Sequence, residues 1–167
     1  MPAAALNGLR NNPNIEFIET DAIRTISNTN LNNTEVEPWG ISRVEGDIVS
    51  DSLTGNRTVC IIDSGYDISN SDLASLNVNG TNDSGTGNWY QAGGSHGTHV
   101  AGTIAAVNNS EGVVGVMPNT NVNLHIVKVF NASGWGYAGE LADAVNVCKN
   151  NGAKVVNMSL GGSGSSN

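Results

Sequence analysis

Aromatic and charged residues are scarce in this sequence, and long apolar runs are missing. Phe, Trp and Tyr make up 5% of the 167 residues, and Asp, Glu, Lys and Arg make up 13%. No run approaches the roughly 20 apolar residues that a membrane-spanning helix needs. The apolar fraction of 38% is nevertheless enough for a buried core. These values predict a globular protein without a membrane partner.

Basic residues are few, which limits the partners to be expected. Seven Lys and Arg stand against 15 Asp and Glu, so the formal net charge is -8. An acidic surface repels phosphate backbones, and nucleic acid is therefore not an expected partner. The first ten residues, Met1 to Arg10, lack the basic start and the long apolar stretch of a signal peptide. Secretion is not indicated by this N-terminus.

Cysteine is limited to Cys60 and Cys148, which form no C-x-x-C pattern. A metal–thiolate site is therefore poorly supported. Two interpretations stay open. The cysteines are either two small buried apolar residues, or they form one disulfide in an oxidising compartment.

Strand and helix patterns alternate from residue 58 onward. Three short apolar runs, 58–62, 122–130 and 154–158, are typical of parallel strands that are covered on both faces. Helical patterns lie between them at 100–107 and 137–151. Strand, helix, strand, helix, strand predicts a parallel α/β sheet.

The chain before residue 58 has a different character. Residues 14–19 alternate polar and apolar, which predicts a half-buried strand. Residues 27–34 are polar and without periodicity, as in a flexible linker. We therefore predict a boundary near residue 34, with one segment at 1–34 and a second domain at 35–167.

Two residues suited to acid–base chemistry follow or adjoin the first predicted strand. Asp63 comes directly after it, and His96 stands at the start of the first long helix. Because open α/β sheets place ligands beyond the carboxyl ends of their strands, Asp63 and His96 are expected to converge there. A carboxylate that orients a histidine is the pairing that a general base requires. Alone, each has a simpler explanation: an Asp after a strand often caps a turn, and a lone His is often structural.

Other chemistries are less well supported. His96 and His99 could suggest zinc, but a zinc site needs three or four ligands, and the sequence places no third nearby. The glycine-rich loops match neither phosphate-binding pattern, G-x-x-x-x-G-K-[ST] or G-x-G-x-x-G after a strand.

Three segments taken together resemble the subtilisin-like serine protease family, the subtilases, in order and spacing. They are Val59 to Gly65, His96 to Thr103 and Asn157 to Gly162. The resemblance covers about residues 36–167. It implies a three-layer α/β fold around a parallel sheet, of which the C-terminal part is missing here. It also implies that Asp63 is the orienting carboxylate and His96 the general base of an Asp-His-Ser triad, with His99 an ordinary helix residue.

The resemblance further implies where a polypeptide substrate binds. In the family, extended substrate lies between two backbone segments and adds a strand to an edge. The matching positions here are Gly134, Trp135 and Gly136 on one side, and Ser159, Leu160 and Gly161 on the other. Glycines there allow close approach of a peptide backbone. The alternative is a pair of ordinary turns after strands.

A structural Ca²⁺ site is also implied by the resemblance. The family's calcium loop matches residues 107–113, with an aspartate and an N-terminal side chain as further ligands. Oxygen-only donors suit a hard cation such as Ca²⁺. The alternative is an ordinary loop. The expected ligands are Glu35, Asp72, Val107, Asn109, Glu111 and Val113.

Residues 14–26 resemble the end of the family's α+β propeptide, which acts as an intramolecular chaperone and inhibitor. Processing would then fall in the polar linker before Pro38. The resemblance thus implies a zymogen and an extracellular mature enzyme.

The nucleophile motif of the family, Gly-Thr-Ser-Met-Ala or a close variant, does not occur in these 167 residues. The later Asn that donates to the oxyanion is also missing. Two hypotheses follow. The chain is the N-terminal part of a serine endopeptidase that works through an acyl-enzyme, or it is an inactive, truncated pseudo-protease that acts as a binding fragment.

Overall fold

The fold comes from a computed structural model that describes residues 11–14, 35–131 and 138–161. The backbone divides into two units, Met1–Leu31 and Asn32–Asn167. In the first unit the described part is a turn, in which Asn14 N donates to Asn12 Oδ1 at 3.0 Å. The predicted strand from residue 15 onward and the rest of the propeptide tail lie outside the described residues. The boundary near residue 34 therefore stays a prediction.

The second unit contains a sheet of four parallel strands in the order β2-β3-β1-β4. The strands are β1 (Arg57–Asp63), β2 (Asn77–Asn82), β3 (Val122–Lys128) and β4 (Ala153–Asn157). Three of them coincide with the predicted apolar runs to within two residues at each end. The predicted α/β fold with a parallel sheet is confirmed.

The sequence patterns missed β2, because its residues are mostly polar. Within the described residues, Asn77–Asn82 lies at one edge of the sheet and pairs with β3 alone. A strand with one neighbour does not need the continuous apolar run of a central strand. Gly80 leaves room for Trp89, since a Cβ at this position would lie 2.7 Å from the indole.

One helix covers each face of the sheet, α2 (His96–Ala105) and α3 (Ala138–Asn150), and a short helix, α1 (Trp39–Arg43), precedes β1 in the chain. Alternate residues of each central strand point to opposite faces. One set packs with α2, and the other with α3. The first cluster includes Val59, Ile61, Leu124, Ile126, Ala101 and Ala105; the second includes Cys60, Ile62, Val127, Val129, Ala144 and Cys148.

Small residues allow α2 to approach the sheet closely. Gly97, Ala101 and Ala105 are its buried residues, and they recur at intervals of four along one face. The helix begins four residues earlier than the predicted helical pattern and ends at Ala105, because Ala106 takes an extended ψ of 130°. The earlier start places His96 in the first turn.

The two cysteines are joined in a disulfide that links β1 to α3. Cys60 and Cys148 have Cα atoms 5.7 Å apart, and both are fully buried in the α3-facing core. The interpretation of Cys60 and Cys148 as two buried apolar residues is therefore confirmed for their burial. It is wrong in leaving them unbonded, because they form a disulfide.

Among the described residues, no helix is both long enough and apolar enough to cross a membrane.

Candidate active site

Asp63 ends β1 as a buried carboxylate. The residue is 1% exposed, and its carbonyl oxygen accepts from Val129 N at 2.9 Å, which continues the pairing with β3. Its Oδ1 accepts a hydrogen bond from Ser64 N at 2.7 Å. Because backbone and side chain are both held, the carboxylate has a defined direction toward the start of α2.

His96 is brought to this carboxylate by close packing of α2 on the turn after β1. Gly97 N donates to Ser64 Oγ at 3.1 Å, which ties the first turn of the helix to that turn. A Cβ on Gly97 would collide with the carbonyl oxygen of Gly65 and lie 3.2 Å from Asp63 Oδ1. Glycine at position 97 is therefore required for this approach.

The imidazole and the carboxylate are in direct contact. His96 Nδ1 lies 2.9 Å from both Oδ1 and Oδ2 of Asp63. With the aspartate ionised, Nδ1 carries the proton that bonds to it, which leaves Nε2 with its lone pair. The aspartate side chain is 2% exposed and the histidine side chain 59%. The pair therefore presents a base of fixed tautomer to solvent, with a buried charge behind it.

Lys128, the last residue of β3, is buried next to this site. Its Nζ donates to Gln91 O at 2.6 Å and to Asn88 O at 3.3 Å. Burial lowers the pKa of the Lys128 ammonium group. The two carbonyls belong to the loop that leads into α2.

His125, in the middle of β3, is a second buried basic residue. It is 2% exposed, and its Nδ1 contacts Asn79 Oδ1 on the neighbouring strand. Its Nε2 has no hydrogen-bond partner among the described residues. Burial lowers the pKa of this imidazole, so the neutral form is favoured in the folded protein.

The predicted calcium ligands come from three parts of the chain, and hydrogen bonds link them to Asp72 or to Asn109. Val113 N donates to Asp72 Oδ2 at 3.0 Å, and Asn109 Nδ2 lies 3.4 Å from Oδ1. Glu35 Oε1 accepts from Asn109 N at 2.8 Å. Val107 N donates to the carbonyl oxygen of Asp72 at 2.9 Å. The loop is thus closed around the carboxylate.

The donor chemistry of this loop fits a hard cation only with help from the backbone. Across the described ranges, no three His, Cys, Asp or Glu side chains are grouped closely enough to hold a metal ion. A Ca²⁺ ion would need the Asn109 amide oxygen and loop carbonyls besides the carboxylates. In this arrangement Asn109 Oδ1 accepts from Glu111 N at 2.9 Å, while the Nδ2 end of the amide lies 3.4 Å from Asp72 Oδ1.

Comparison with known proteins gives the family. The sequence profile described as the subtilase family matches residues 54–167. The chain belongs to the subtilase family. It is 39% identical over 165 residues to subtilisin E of Bacillus subtilis (strain 168), covering 95% of this chain and 40% of that protein. It is 42% identical over 164 residues to alkaline elastase YaB of Bacillus sp. (strain YaB), covering 96% of this chain and 40% of that protein.

A solved structure supports the same assignment. The psychrophilic subtilisin-like protease Apa1 from the Antarctic psychrotroph Pseudoalteromonas sp. AS-11 superposes with a TM-score of 0.74 at 63% sequence identity. The match covers 80% of this chain and 31% of the Apa1 chain. This subtilase chain therefore spans less than half the length of the relatives that it matches.

The predicted substrate segments are only partly described. Gly134, Trp135 and Gly136 lie outside the described residues. Ser159 to Gly161 follow β4, whose Asn157 is in register with Ile61 of β1, so they lie at the same edge of the sheet as Asp63. Leu160 packs partly buried against the core that contains Cys60. Its side chain therefore packs against the core, whereas Ser159 and Gly161 on either side of it are exposed.

Two residues of the site were missed by the sequence patterns. Ser64 has no signal in the sequence patterns, yet its hydroxyl accepts a hydrogen bond from the first turn of α2. In the described part of the chain, no serine hydroxyl is hydrogen-bonded to His96. Lys128 carried a usable signal, since it is a charged residue within the apolar run from Ile126 to Val129. A lysine at the carboxyl end of a buried strand is a candidate site residue, because ligands of parallel sheets bind beyond that end of the strands.

Proposed function

We propose that this subtilase chain supplies the aspartate and the histidine of a serine endopeptidase. Asp63 orients and stabilises the imidazole, and His96 acts as the general base. The observation that carries this proposal is the contact at 2.9 Å between a buried carboxylate and an exposed imidazole at the sheet edge. The relatives supply the reaction class.

The chemistry follows the family's triad. His96 Nε2 takes the proton of a serine hydroxyl as that oxygen attacks the peptide carbonyl, and an acyl-enzyme forms. The same nitrogen then gives the proton to the leaving amine. The serine would come from polypeptide that follows residue 167. Asp63 stays ionised throughout and offsets the charge of the imidazolium.

The described surface supports such a continuation. β4 pairs with β1 on one side, and Val155 is 57% exposed on it. Val156 and Met158, which follow it in the chain, are 36% and 46% exposed. A group of neighbouring exposed apolar residues on an edge strand supports the proposal that more polypeptide packs there.

Polypeptides are the proposed substrates. Ser159 to Gly161 would pair with one side of an extended peptide, and Gly134 to Gly136 with the other. The position of Ser159 at the same carboxyl edge of the sheet as Asp63 supports the first assignment. Main-chain pairing of this kind explains how a protease binds many sequences.

We also propose a structural Ca²⁺ at the loop of residues 107–113. Glu35, Asp72 and Asn109 would supply side-chain oxygens, and Val107, Glu111 and Val113 would supply backbone carbonyls. The ion would hold this loop against the segment at Val36, which already accepts from Val114 N at 3.2 Å and donates to Gly112 O at 2.9 Å. Its contribution would be stability, since in the described part of the chain none of these residues is hydrogen-bonded to His96.

The first 34 residues are proposed to be the tail of an inhibitory propeptide, so that the protein would be made as a zymogen and would act outside the cell. The disulfide between Cys60 and Cys148 supports an oxidising compartment.

The test compares the 167-residue chain with the complete reading frame. Both are incubated with a fluorogenic peptide and a fluorophosphonate probe. We expect the complete protein to cleave and to be labelled, and the 167-residue chain to do neither. His96→Ala in the complete protein should reduce kcat by several orders of magnitude, since among the described residues no other imidazole contacts Asp63. His99→Ala in the same helix is the matched control and should keep activity.

A complete protein that is folded but unlabelled would favour the alternative, an inactive pseudo-protease that binds peptides. Labelling of the 167-residue chain above its His96→Ala variant would show a nucleophile within these residues and contradict the division proposed here.

A further inference from the structure

Lys128 lies directly beside the aspartate of the pair. In the parallel register of β1 and β3, it is the residue opposite Asp63. Both continue the alternation that points Ile61 and Ile126 toward α2, so they share one face of the sheet. Lys128 is 3% exposed, which is rare for lysine. An ammonium group removed from water needs acceptors in exchange for its hydration.

The acceptors are two carbonyl oxygens in the loop that precedes His96. Lys128 Nζ donates to Gln91 O at 2.6 Å and to Asn88 O at 3.3 Å. Hydrogen bonds from a charged donor are stronger than those between neutral groups. The side chain therefore anchors residues 88–91 to the end of β3.

The same loop is tied to the turn after Asp63. Trp89 O accepts from Tyr66 N at 2.9 Å, and Gly93 N donates to Ser64 O at 2.7 Å. Gly65, with a φ of +98°, packs closely against both the loop and the lysine. A Cβ at this position would lie 2.9 Å from Gln91 O and 3.0 Å from Lys128 Cδ. The turn, the loop and the lysine side chain are therefore packed against one another.

Asp63 and His96 both lie directly next to this contact in the chain. Asp63 immediately precedes the turn, and His96 follows Gly93 by three residues. We propose that Lys128 is a positioning residue, which sets the separation of Asp63 and His96 by holding the turn and the loop together. The inference rests on the proposed peptidase function and names a further residue of that site.

The kinetic test uses the complete protease, with kcat expressed per titrated active site so that loss of folded protein does not count. Lys128→Met keeps most of the side-chain volume and removes the donors. We expect kcat per site to fall about 10- to 100-fold, the effect of a small misplacement of reacting groups. Lys128→Arg, which keeps the cation and its donors, should recover part of that loss.

The matched control is Lys149→Met, which removes an exposed lysine from the last turn of α3 and should leave kcat unchanged. Should Lys128→Met yield no titratable protein, Lys128→Gln, whose side chain is uncharged and one bond too short to replace the bonds to both carbonyls, is judged by the same criterion. A kcat per site equal to that of the unaltered protein would overturn the proposal, whatever happens to stability.

A second measurement does not depend on proteolysis. The ring-nitrogen chemical shifts of His96 in the complete protein report its tautomer and its bond to Asp63, and the spectrum of the His96→Ala variant assigns them. Lys128→Met should change these shifts, whereas Lys149→Met should not. Unchanged shifts would overturn the positioning role. Changed shifts in a complete protein that cleaves no peptide would support that role and contradict the peptidase function instead.

Discussion

The disulfide between Cys60 and Cys148 allows a quantitative prediction. It closes a loop with a sequence separation of 88. The chain-entropy relation assigns to such a cross-link roughly 4.6 kcal/mol at 25 °C, because the unfolded chain loses conformations that the folded chain never uses. Domains have a total free energy of unfolding of about 5–15 kcal/mol. The cross-link would therefore be a large share of the stability.

A second contribution has to be separated from the first. Both cysteines are fully buried, so replacing them by alanine also leaves two small voids. Voids the size of a methyl group cost about 1 kcal/mol each. Reduction keeps the sulfur atoms and removes only the cross-link. The double variant Cys60→Ala/Cys148→Ala removes both, and we expect it to lose roughly 2 kcal/mol more than reduction does.

The assay is urea unfolding followed by tryptophan fluorescence, with and without a thiol reductant. With a slope of about 2 kcal/mol per molar urea, reduction should lower the midpoint by about 2 M. The reductant should leave the double variant unchanged. Equal midpoints for the oxidised and reduced protein would refute the reasoning. A loss in the double variant without a loss on reduction would show that packing, and not the cross-link, carries the effect.

Further changes test the site and its surroundings. Gly97→Ala should lower kcat of the complete protease about 100-fold, because the new Cβ would separate His96 from Asp63. Gly102→Ala, in the same helix but with open space around its Cβ, should leave kcat unchanged, and steady-state kinetics measures both. Ca²⁺ should raise the melting temperature above that in EDTA. Gly112→Ala, whose Cβ would collide with the loop's aspartate, should abolish this shift, whereas Gly152→Ala, equally left-handed but open, should keep it. Burial lowers the pKa of His125 in the folded protein relative to the unfolded chain. The free energy of unfolding should therefore decline as the pH falls below about 6.5. Urea titrations should find a shallower decline in His125→Phe.

Much of the fold was predictable from local patterns. The central strands β1 and β3 are buried on both faces, so each appears in the sequence as a continuous apolar run. The α3 helix showed its apolar spacing because one face of it packs on the sheet. By contrast, β2 has one strand neighbour and a polar composition, so nothing local distinguishes Asn77–Asn82 from a loop. This segment is a strand because it pairs with β3, which lies more than 40 residues away in the chain.

The candidate site divides in the same way. Asp63 after a strand and His96 at a helix start are local facts, and together with the family resemblance they predicted the pair from the sequence alone. The sequence could not decide whether Cys60 and Cys148 are bonded, because that depends on two buried residues meeting across β1 and α3. It also could not assign Lys128, since an ammonium group becomes an anchor only when the register places it opposite Asp63 and the loop turns its carbonyls inward. The positions of Asp63 and His96 at the ends of secondary-structure elements were thus readable from the local sequence. Their distance, their burial and their partners were decided by the packing of segments that are far apart in the chain.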